Sequence, residues 1–236
     1  MRLDKLLSVT ATATRSEAAK AARAGQIEVN GVPVRRADMQ VDPEHDSVCY
    51  CGHPVSYKTY RYVLLNKPDG VVSATEAGKD RTVLDLLPER YTKMGLFPCG
   101  RLDKHTLGLM LLTNDGELSH RLLSPQRHVA KRYAFRCKFP LTEEECARFR
   151  DGLVLEDGYE TKPADIALHE DHRSGVITLV EGKYHQIKRM LEALHNQITY
   201  LERISFGPLT LPEELARGEW RELSVEEEAA LRAAAE

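Results

Sequence analysis

The sequence predicts an α+β protein with a small N-terminal α/β domain, residues 1–58, and a larger domain, residues 59–236. Three observations carry this prediction. Short helical patterns and a hairpin signal fill the N-terminal part, and strand-like apolar runs intermix with short helices after it. Because the second region lacks a regular βαβ alternation, a mainly antiparallel mixed sheet is expected there. The length of 236 residues is enough for one domain with a smaller partner.

The N-terminal domain is predicted to contain two helices and a small sheet. Leu3, Leu6 and Leu7 have the i, i+3, i+4 spacing of one apolar helix face. A second helix should begin near residues 14–16 and end at Gly25, a plausible C-terminal stop. Asn-Gly at positions 30 and 31 is a strong hairpin signal. The predicted strands are residues 26–29, 32–35 and 47–51, and the polar residues 52–59 follow them.

The larger domain is predicted to alternate short strands with short helices. Helices are expected at residues 82–87, stopped by Pro88, and at residues 115–123. Two capping boxes, Thr142 with Glu145 and Ser224 with Glu227, predict the start of two more helices. The predicted strands are residues 62–66, 71–74, 108–114, 131–139 and 176–181. Residues 184–195 should place one apolar face toward a core and a polar face opposite.

The composition of the chain argues against a membrane-spanning protein and against a small protein held together by disulfides. Hydrophobic residues make up 42% of the chain, which is ordinary for a globular protein. No apolar run approaches the roughly 18 residues needed to span a bilayer. The N-terminus lacks a secretory pattern, and five cysteines fit free thiols in a reducing compartment. The protein is therefore expected to be cytoplasmic, with no membrane partner.

Charge is distributed unevenly along the chain. Residues 1–40 carry seven Lys or Arg against four Asp or Glu, and residues 141–236 carry eleven against twenty-one. A basic front part suits a polyanion, because neutralising phosphates releases counterions. Basic helix surfaces also occur without any ligand, so charge alone leaves both readings open. The candidate RNA-binding residues in this part are Arg2, Lys5, Arg15, Lys20 and Arg23.

Four possible metal ligands, His45, Cys49, Cys51 and His53, lie within nine residues. The two cysteines are separated by one residue, which is not the usual zinc-knuckle spacing. Strand alternation would put both thiols on one face of a half-buried strand, which explains them more simply. No metal site is therefore expected, and the sequence has no Gly-rich phosphate loop that would indicate a nucleotide cofactor.

Four segments carry the functional signal together. Asn66-Lys67-Pro68-Asp69-Gly70 ends an apolar strand, and Gly100-Arg101-Leu102-Asp103 opens into the strand GLMLLTN. Lys131-Arg132-Tyr133 heads another strand, and EGKYHQIKRM, residues 181–190, passes from a strand end into a helix. Each segment alone has a structural explanation, such as a loop salt bridge or an i,i+4 pair on a helix. Their order and spacing behind a small basic domain favour a functional one.

These segments resemble those of the RsuA family of pseudouridine synthases, over nearly the whole chain. The front domain looks like the RNA-binding module named after ribosomal protein S-four. The small-subunit branch fits best, because large-subunit relatives tend to carry an Arg-rich version of EGKYHQIKRM. Leu107, where the family usually has a small hydroxylic residue, and Lys104-His105 depart from the pattern and could alter loop packing or RNA fit. The resemblance implies a pseudouridine synthase fold and isomerisation of one uridine in 16S rRNA, position 516 in RNA numbering.

The resemblance also implies roles for individual residues. Asp103 would be the catalytic nucleophile or base on a flipped-out uridine, with Lys188 as its cationic partner and Arg189 as the fallback for that role. Tyr133 would pack against the target base, because stacking leaves the base edge free. Flipping costs a few kcal/mol, and Arg101 would fill the vacated space or hold flanking phosphates. Lys67 and Arg189 are counted with Arg101 as RNA-binding candidates.

The reaction oxidises nothing and adds nothing, so no cofactor is expected. The expected partner is 16S rRNA or an assembling small ribosomal subunit, and the chain is expected to be a monomer. Two alternatives remain open from the sequence. One is a synthase that acts on 23S rRNA, and the other is a non-catalytic RNA-binding factor of ribosome assembly.

Overall fold

The computed structural model describes residues 1–10 and 12–236 and divides into two units. One contains Met1–Arg61 and Pro88–Leu96, and the other contains Tyr62–Leu87 and Phe97–Glu236. Along the described residues, no helix combines the length and apolar composition that crossing a bilayer requires.

The first unit contains three short helices and a four-stranded sheet. Its helices are α1 (Leu3–Val9), α2 (Arg15–Arg23) and α3 (Glu89–Lys93). Its strands, β1 (Ile27–Val29), β2 (Val32–Pro33), β3 (Val48–Tyr50) and β4 (His53–Pro54), pair in the order β2-β1-β3-β4. Asn30 and Gly31 both have positive φ, which confirms the hairpin turn. The three leucines of α1 are completely buried or nearly so, as their spacing predicted.

The cysteine pair of this unit does not share a strand face. Cys49 lies in β3 and is half-buried, whereas Cys51 lies beyond the strand with a φ of 50° and is exposed. The prediction that both thiols lie on one face of a strand is therefore wrong, because the chain turns at Cys51-Gly52. Among the described residues, no three His, Cys, Asp or Glu side chains gather in a way that could hold a metal ion.

The second unit is built on a nine-stranded sheet. Its strands are β5 (Tyr62–Lys67), β6 (Phe97–Pro98), β7 (Leu107–Thr113), β8 (Lys131–Cys137), β9 (Asp165–Leu168), β10 (Ser174–Leu179), β11 (Ile198–Phe206), β12 (Leu209–Thr210) and β13 (Trp220–Glu222). The main path of the sheet runs β13-β5-β7-β11-β8-β10-β9, with β12 paired to β11 and β6 paired to β7. Only the β7–β11 pairing is parallel, so the mainly antiparallel mixed sheet is confirmed.

Four helices cover two apolar cores of this sheet. They are α4 (Gly116–Leu123), α5 (Glu143–Asp151), α6 (Gln186–Glu192) and α7 (Val225–Ala233). Thr142 and Ser224 cap α5 and α7 through the predicted capping boxes. One core includes residues from β8, β10, α5 and α6, and the other includes residues from β5, β7, α4 and α7.

Two predicted elements of this unit differ in the structure. Residues 71–74 are not a strand; Val72 makes a single bridge with Thr82, and the hydroxyl of Ser73 bonds to another loop. Residues 82–87 form only a 3₁₀ turn, Leu84–Leu86, because the Thr82 and Asp85 side chains bond to the turn's backbone and Pro88 follows. Both segments serve as loop supports, a role that apolar patterning does not reveal.

The parallel strands β7 and β11 approach each other closely at Gly108. Its φ is +97°, and a Cβ placed there would lie 2.3 Å from the backbone oxygen of Arg203. We expect Gly108→Ala to lower the free energy of unfolding by about 2–3 kcal/mol, because a backbone contact cannot move aside cheaply. Chemical denaturation measures this change. Gly116→Ala is the matched control, since its Cβ meets nothing within 4 Å; an equal loss in both variants would contradict the close-approach argument.

Candidate active site

The loop between β6 and β7 carries Asp103 and is held on both sides by hydrogen bonds. The Ser73 hydroxyl donates to the oxygen of Leu102 at 2.8 Å and accepts from its nitrogen at 3.0 Å. On the other side, the backbone N–H of Thr106 donates to the backbone oxygen of Asp103 at 3.0 Å. The backbone around Asp103 is therefore fixed before any ligand arrives. Ser73 was missed from the sequence, because its segment was interpreted as a strand.

Lys67 is the main support beneath this loop. Its side chain is completely buried, and its ammonium donates to the backbone oxygens of Pro68, Lys104 and Thr106 at 2.9–3.1 Å. Burial lowers the pKa of Lys67 to about 8. The prediction that Lys67 contacts RNA is wrong, because none of its surface is accessible. The lysine instead joins the end of β5 to the loop that holds Asp103.

A second loop leads into α6 and is organised by a buried carboxylate. Glu181 accepts hydrogen bonds from the Tyr159 hydroxyl, the Lys162 nitrogen and the Gln186 side chain at 2.6–3.0 Å. Gln186 in turn accepts from the Lys183 nitrogen at 2.9 Å. These bonds fix the segment that precedes α6. They explain how the chain passes from the end of β10 to the start of α6 through the short loop of residues 180–185.

Asp103 meets two cationic or potentially cationic side chains from that segment. Its Oδ2 lies 3.0 Å from Lys188 Nζ, and its Oδ1 lies 3.4 Å from His185 Nε2. His185 has a left-handed φ of 49° and stacks on the exposed Tyr184 ring at 3.9 Å between centroids. His185 belongs to residues 184–195, which the sequence predicted as one amphipathic helix. Its contact with Asp103 arises because the helix begins one residue later.

These groups line a cavity of about 620 Å³. Tyr133, from β8, and Arg101, two residues before Asp103, reach the same cavity. Asp103 is one-quarter exposed, and no other carboxylate of the described residues lines the space. The volume lies in the range typical of small-molecule sites. Thr106, Lys131 and Arg203 also line the cavity. Lys131 belongs to a segment that carried the functional signal, but none of the three was a candidate site residue.

The remaining sequence-based candidates lie elsewhere or pair differently. Arg189 forms an ion pair with Asp157 at 2.5 Å, so its prediction as the fallback partner of Asp103 is wrong. The five basic candidates of the first unit lie on or beside α1 and α2 and are exposed: Arg2, Lys5, Arg15, Lys20 and Arg23. Of these, Arg2 pairs with Asp4 at 2.7 Å.

The departures from the family pattern form surface contacts next to Asp103. Lys104 pairs with Asp80 at 2.7 Å, and His105 pairs with Asp69 at 2.9 Å. Leu107 is the first residue of β7 and is half-buried. These side chains leave the contacts of Asp103 with Lys188 and His185 intact.

The arrangement gives one carboxylate a cationic neighbour and an open side. Lys188 Nζ lies 3.0 Å from the carboxylate, which is one-quarter exposed toward the cavity. A carboxylate so placed can attack an electrophilic carbon or remove a proton from a bound molecule. The neighbouring tyrosine and the cations suit a flat, electron-rich or anionic ligand.

Comparisons with known proteins agree with this site. The family model described as RNA pseudouridylate synthase matches residues 61–193, and the S4 domain model matches residues 1–47. An uncharacterized RNA pseudouridine synthase of Bacillus subtilis (strain 168) is 43% identical over 96% of both chains. Ribosomal small subunit pseudouridine synthase A of Escherichia coli (strain K12) is 38% identical, with 96% of this chain and 98% of that protein covered.

A solved structure is similar over the whole length. The crystal structure of a pseudouridylate synthase matches 98% of this chain and 99% of its own, at 35% identity and a TM-score of 0.69. The matched region of the family model contains Asp103, Tyr133 and Lys188. The chain therefore belongs to the RNA pseudouridylate synthase family and is a pseudouridine synthase that acts on RNA, with an S4 domain in front.

Proposed function

We propose that the enzyme isomerises one uridine of 16S rRNA to pseudouridine, at the position equivalent to 516, and that it needs no cofactor. The observation that carries this proposal is the Asp103–Lys188 ion pair at 3.0 Å inside a cavity wide enough for a nucleoside. Relatives named ribosomal small subunit pseudouridine synthase A, at 38–39% identity, support the small-subunit substrate. The cytoplasm, where ribosomal subunits are assembled, is the proposed place of action.

In this proposal the target uridine leaves the RNA stack and enters the cavity. Asp103 reacts with the extruded nucleotide, and Lys188 holds the carboxylate in place through their ion pair. Tyr133 packs on the base, and Arg101 fills the space that the base leaves or holds a flanking phosphate. Because the product is an isomer of the substrate, the reaction requires no redox group and no second substrate.

The domain of residues 1–58 would provide RNA affinity through the exposed cations of α1 and α2, while residues 59–236 perform the reaction. Recognition of folded RNA depends mostly on shape and backbone contacts rather than on base edges. A monomer is proposed to suffice, since every group named above comes from one chain. Salt should weaken binding in proportion to the phosphates contacted.

Parallel assays on two RNAs test the substrate. We expect release of tritium from 5-tritiated uridine in a 16S transcript or small-subunit particle, with carbodiimide mapping placing the product at one position. Conversion of 23S RNA alone would overturn the substrate assignment. Absence of release from either RNA, naked or partly assembled, would indicate a non-catalytic assembly factor instead.

A further inference from the structure

The active-site cavity holds more positive charge than its carboxylate can balance. Six Lys or Arg side chains line it, against the single carboxylate of Asp103. Lys188 pairs with Asp103, Lys104 pairs with Asp80, and Lys183 is exposed and lies over the Tyr159 ring. The exposed Arg101 can remain hydrated. The two cations left, Lys131 and Arg203, are buried and make no ion pair among the described residues.

Lys131 and Arg203 share one side of the cavity. Lys131 is 7% exposed and Arg203 is 2% exposed. Lys131 Nζ lies 5.6 Å and Arg203 Cζ lies 5.2 Å from the centroid of the same Phe206 ring. Burial, followed by the charge of Arg203, lowers the pKa of Lys131 to about 8, so its ammonium form still predominates at neutral pH. Two buried like charges that interact with each other are unfavourable unless something else in the cavity balances them.

The hydrogen bonds of these cations leave donors unused. Lys131 Nζ donates to the Val129 oxygen at 2.8 Å, which uses one of its three N–H groups. Arg203 Nε donates to the Leu109 oxygen at 2.7 Å, and Nη2 approaches the sulfur of Met110 at 3.9 Å. The guanidinium carries five N–H groups in total. Capacity to bind an anion therefore remains on both side chains.

Thr106 adds a neutral donor to the same cavity. Thr106 is 2% exposed, and its hydroxyl makes no hydrogen bond to any described residue. Leaving a buried hydroxyl unpaired costs free energy, typically 1–3 kcal/mol. The backbone of Thr106 already has partners. Its N–H donates to the backbone oxygen of Asp103, and its oxygen accepts from the Lys67 ammonium. The free hydroxyl is thus available to a ligand.

These groups lie where they would contact the base of a bound nucleotide rather than the phosphates of the RNA backbone. Arg203 on β11 is the direct register partner of Tyr133 on β8, so the two residues share a face of the sheet. Lys131 lies two residues before Tyr133 on the same strand and therefore on the same face. The cations accordingly adjoin the ring that is proposed to stack on uracil, below the exposed rim where Arg101 lies.

The reaction places negative charge on the uracil. When the N1–C1′ bond breaks, its electron pair stays with the base and spreads over N1, O2 and O4. The sugar is compensated either by a bond from the Asp103 carboxylate to C1′ or by transfer of the C2′ proton to Asp103. If Asp103 adds to C6 of the base first, the negative charge lies on C5 and O4. When C5 then bonds to C1′, the Asp103–C1′ bond breaks, or the proton returns from Asp103 to C2′, or the Asp103–C6 bond breaks. C5 releases its proton and N1 takes one up, so the product is an isomer of the substrate.

We propose that Lys131 and Arg203, with the hydroxyl of Thr106, form an anion site that stabilises the uracil while it is detached from the ribose. This inference rests on the proposed function of the Asp103 cavity and adds a specificity for a base that can delocalise negative charge. Donors preorganised in a water-poor cavity act most strongly on charge that develops during the reaction.

Lys131→Met and Thr106→Val test the site in the full-length enzyme with a 16S rRNA transcript as substrate. We expect single-turnover conversion to fall about 10²-fold or more for Lys131→Met and about tenfold for Thr106→Val, with the RNA dissociation constant within a few-fold of wild type. Thr106→Val should melt at the same or a higher temperature, because the lost hydroxyl had no partner. Arg136→Gln, an exposed cation on the opposite face of β8, is the control and should react at the wild-type rate.

RNA carrying 5-fluorouridine at the target separates this role from a structural one. Fluorine makes uracil a more stable anion, so each variant should lose less activity on 5-fluorouridine than on uridine, by at least about threefold. The readout is loss of the N-linked nucleoside after nuclease digestion and mass spectrometry. This readout does not require release of a C5 proton, because C5 of this base carries fluorine and keeps it after C5 bonds to C1′. Thr106→Val keeps the test usable if Lys131→Met does not fold.

Two outcomes would overturn the assignment while leaving the proposed function intact. If wild type converts uridine but the variants lose equal activity on both bases, the residues act only through structure. If the loss lies wholly in the RNA dissociation constant, the site binds a phosphate. Failure of the wild-type enzyme to convert uridine in any RNA would instead refute the proposed function.

Discussion

Asp103→Asn is expected to abolish pseudouridine formation while the RNA dissociation constant stays within a few-fold of wild type. Asn has the shape of Asp but lacks the charge, so it can neither attack a carbon nor accept a proton at neutral pH. Its amide can still occupy the place beside Lys188 and His185, so the cavity should persist. Removing a negative charge among the cavity's cations should, if anything, tighten RNA binding. Tritium release from 5-tritiated uridine and filter binding measure the two quantities.

Asp69→Asn is the matched control. Asp69 also pairs with a histidine, His105 at 2.9 Å, but its side chain is 68% exposed. We expect wild-type activity for this variant, because an exposed pair contributes about 0–1 kcal/mol and touches no cavity group. Conversion of uridine by Asp103→Asn at the wild-type rate would show that another residue is the reacting group.

Lys67→Met is expected to lower the free energy of unfolding by about 3–5 kcal/mol and to reduce activity strongly. The substitution keeps the bulk of the side chain but leaves the buried oxygens of Pro68, Lys104 and Thr106 without this donor. The loop that carries Asp103 loses its support, so the carboxylate should leave its place beside Lys188. Urea denaturation gives the stability, and single-turnover assays give the rate.

Lys104→Met tests whether these losses are specific to the buried lysine. Lys104 belongs to the same loop, but it is exposed and makes one ion pair with Asp80. Its replacement should cost less than about 1 kcal/mol. If both variants lost the same stability, the three backbone hydrogen bonds of Lys67 would not be the cause.

Local signals predicted the elements whose cause is local. The Asn30-Gly31 turn, the capping boxes at Thr142 and Ser224, and the leucine face of α1 all depend on residues within four positions of each other. Their hydrogen bonds and burial therefore follow from sequence spacing alone. The absence of βαβ alternation was likewise sufficient to predict the mainly antiparallel sheet.

The candidate site was only partly predictable in the same way. Asp103, Lys188, Tyr133 and Arg101 carried the family signal, and the structure brings all four to one cavity. From the sequence, Lys67 and Arg189 were both predicted to bind RNA. Lys67 is instead buried under the Asp103 loop, and Arg189 turns to Asp157.

By itself, the sequence determined the α+β class, the turns and helix starts, and the chemical types available to the site. The tertiary structure alone decided which of these groups meet. Different loops and strands are joined by the contact of His185 with Asp103 and by the shared sheet face of Lys131, Arg203 and Tyr133. The tertiary structure also leaves the Thr106 hydroxyl without a partner. Such contacts depend on strand order and register, since the free energy of burying a charge is set by partners distant in the chain.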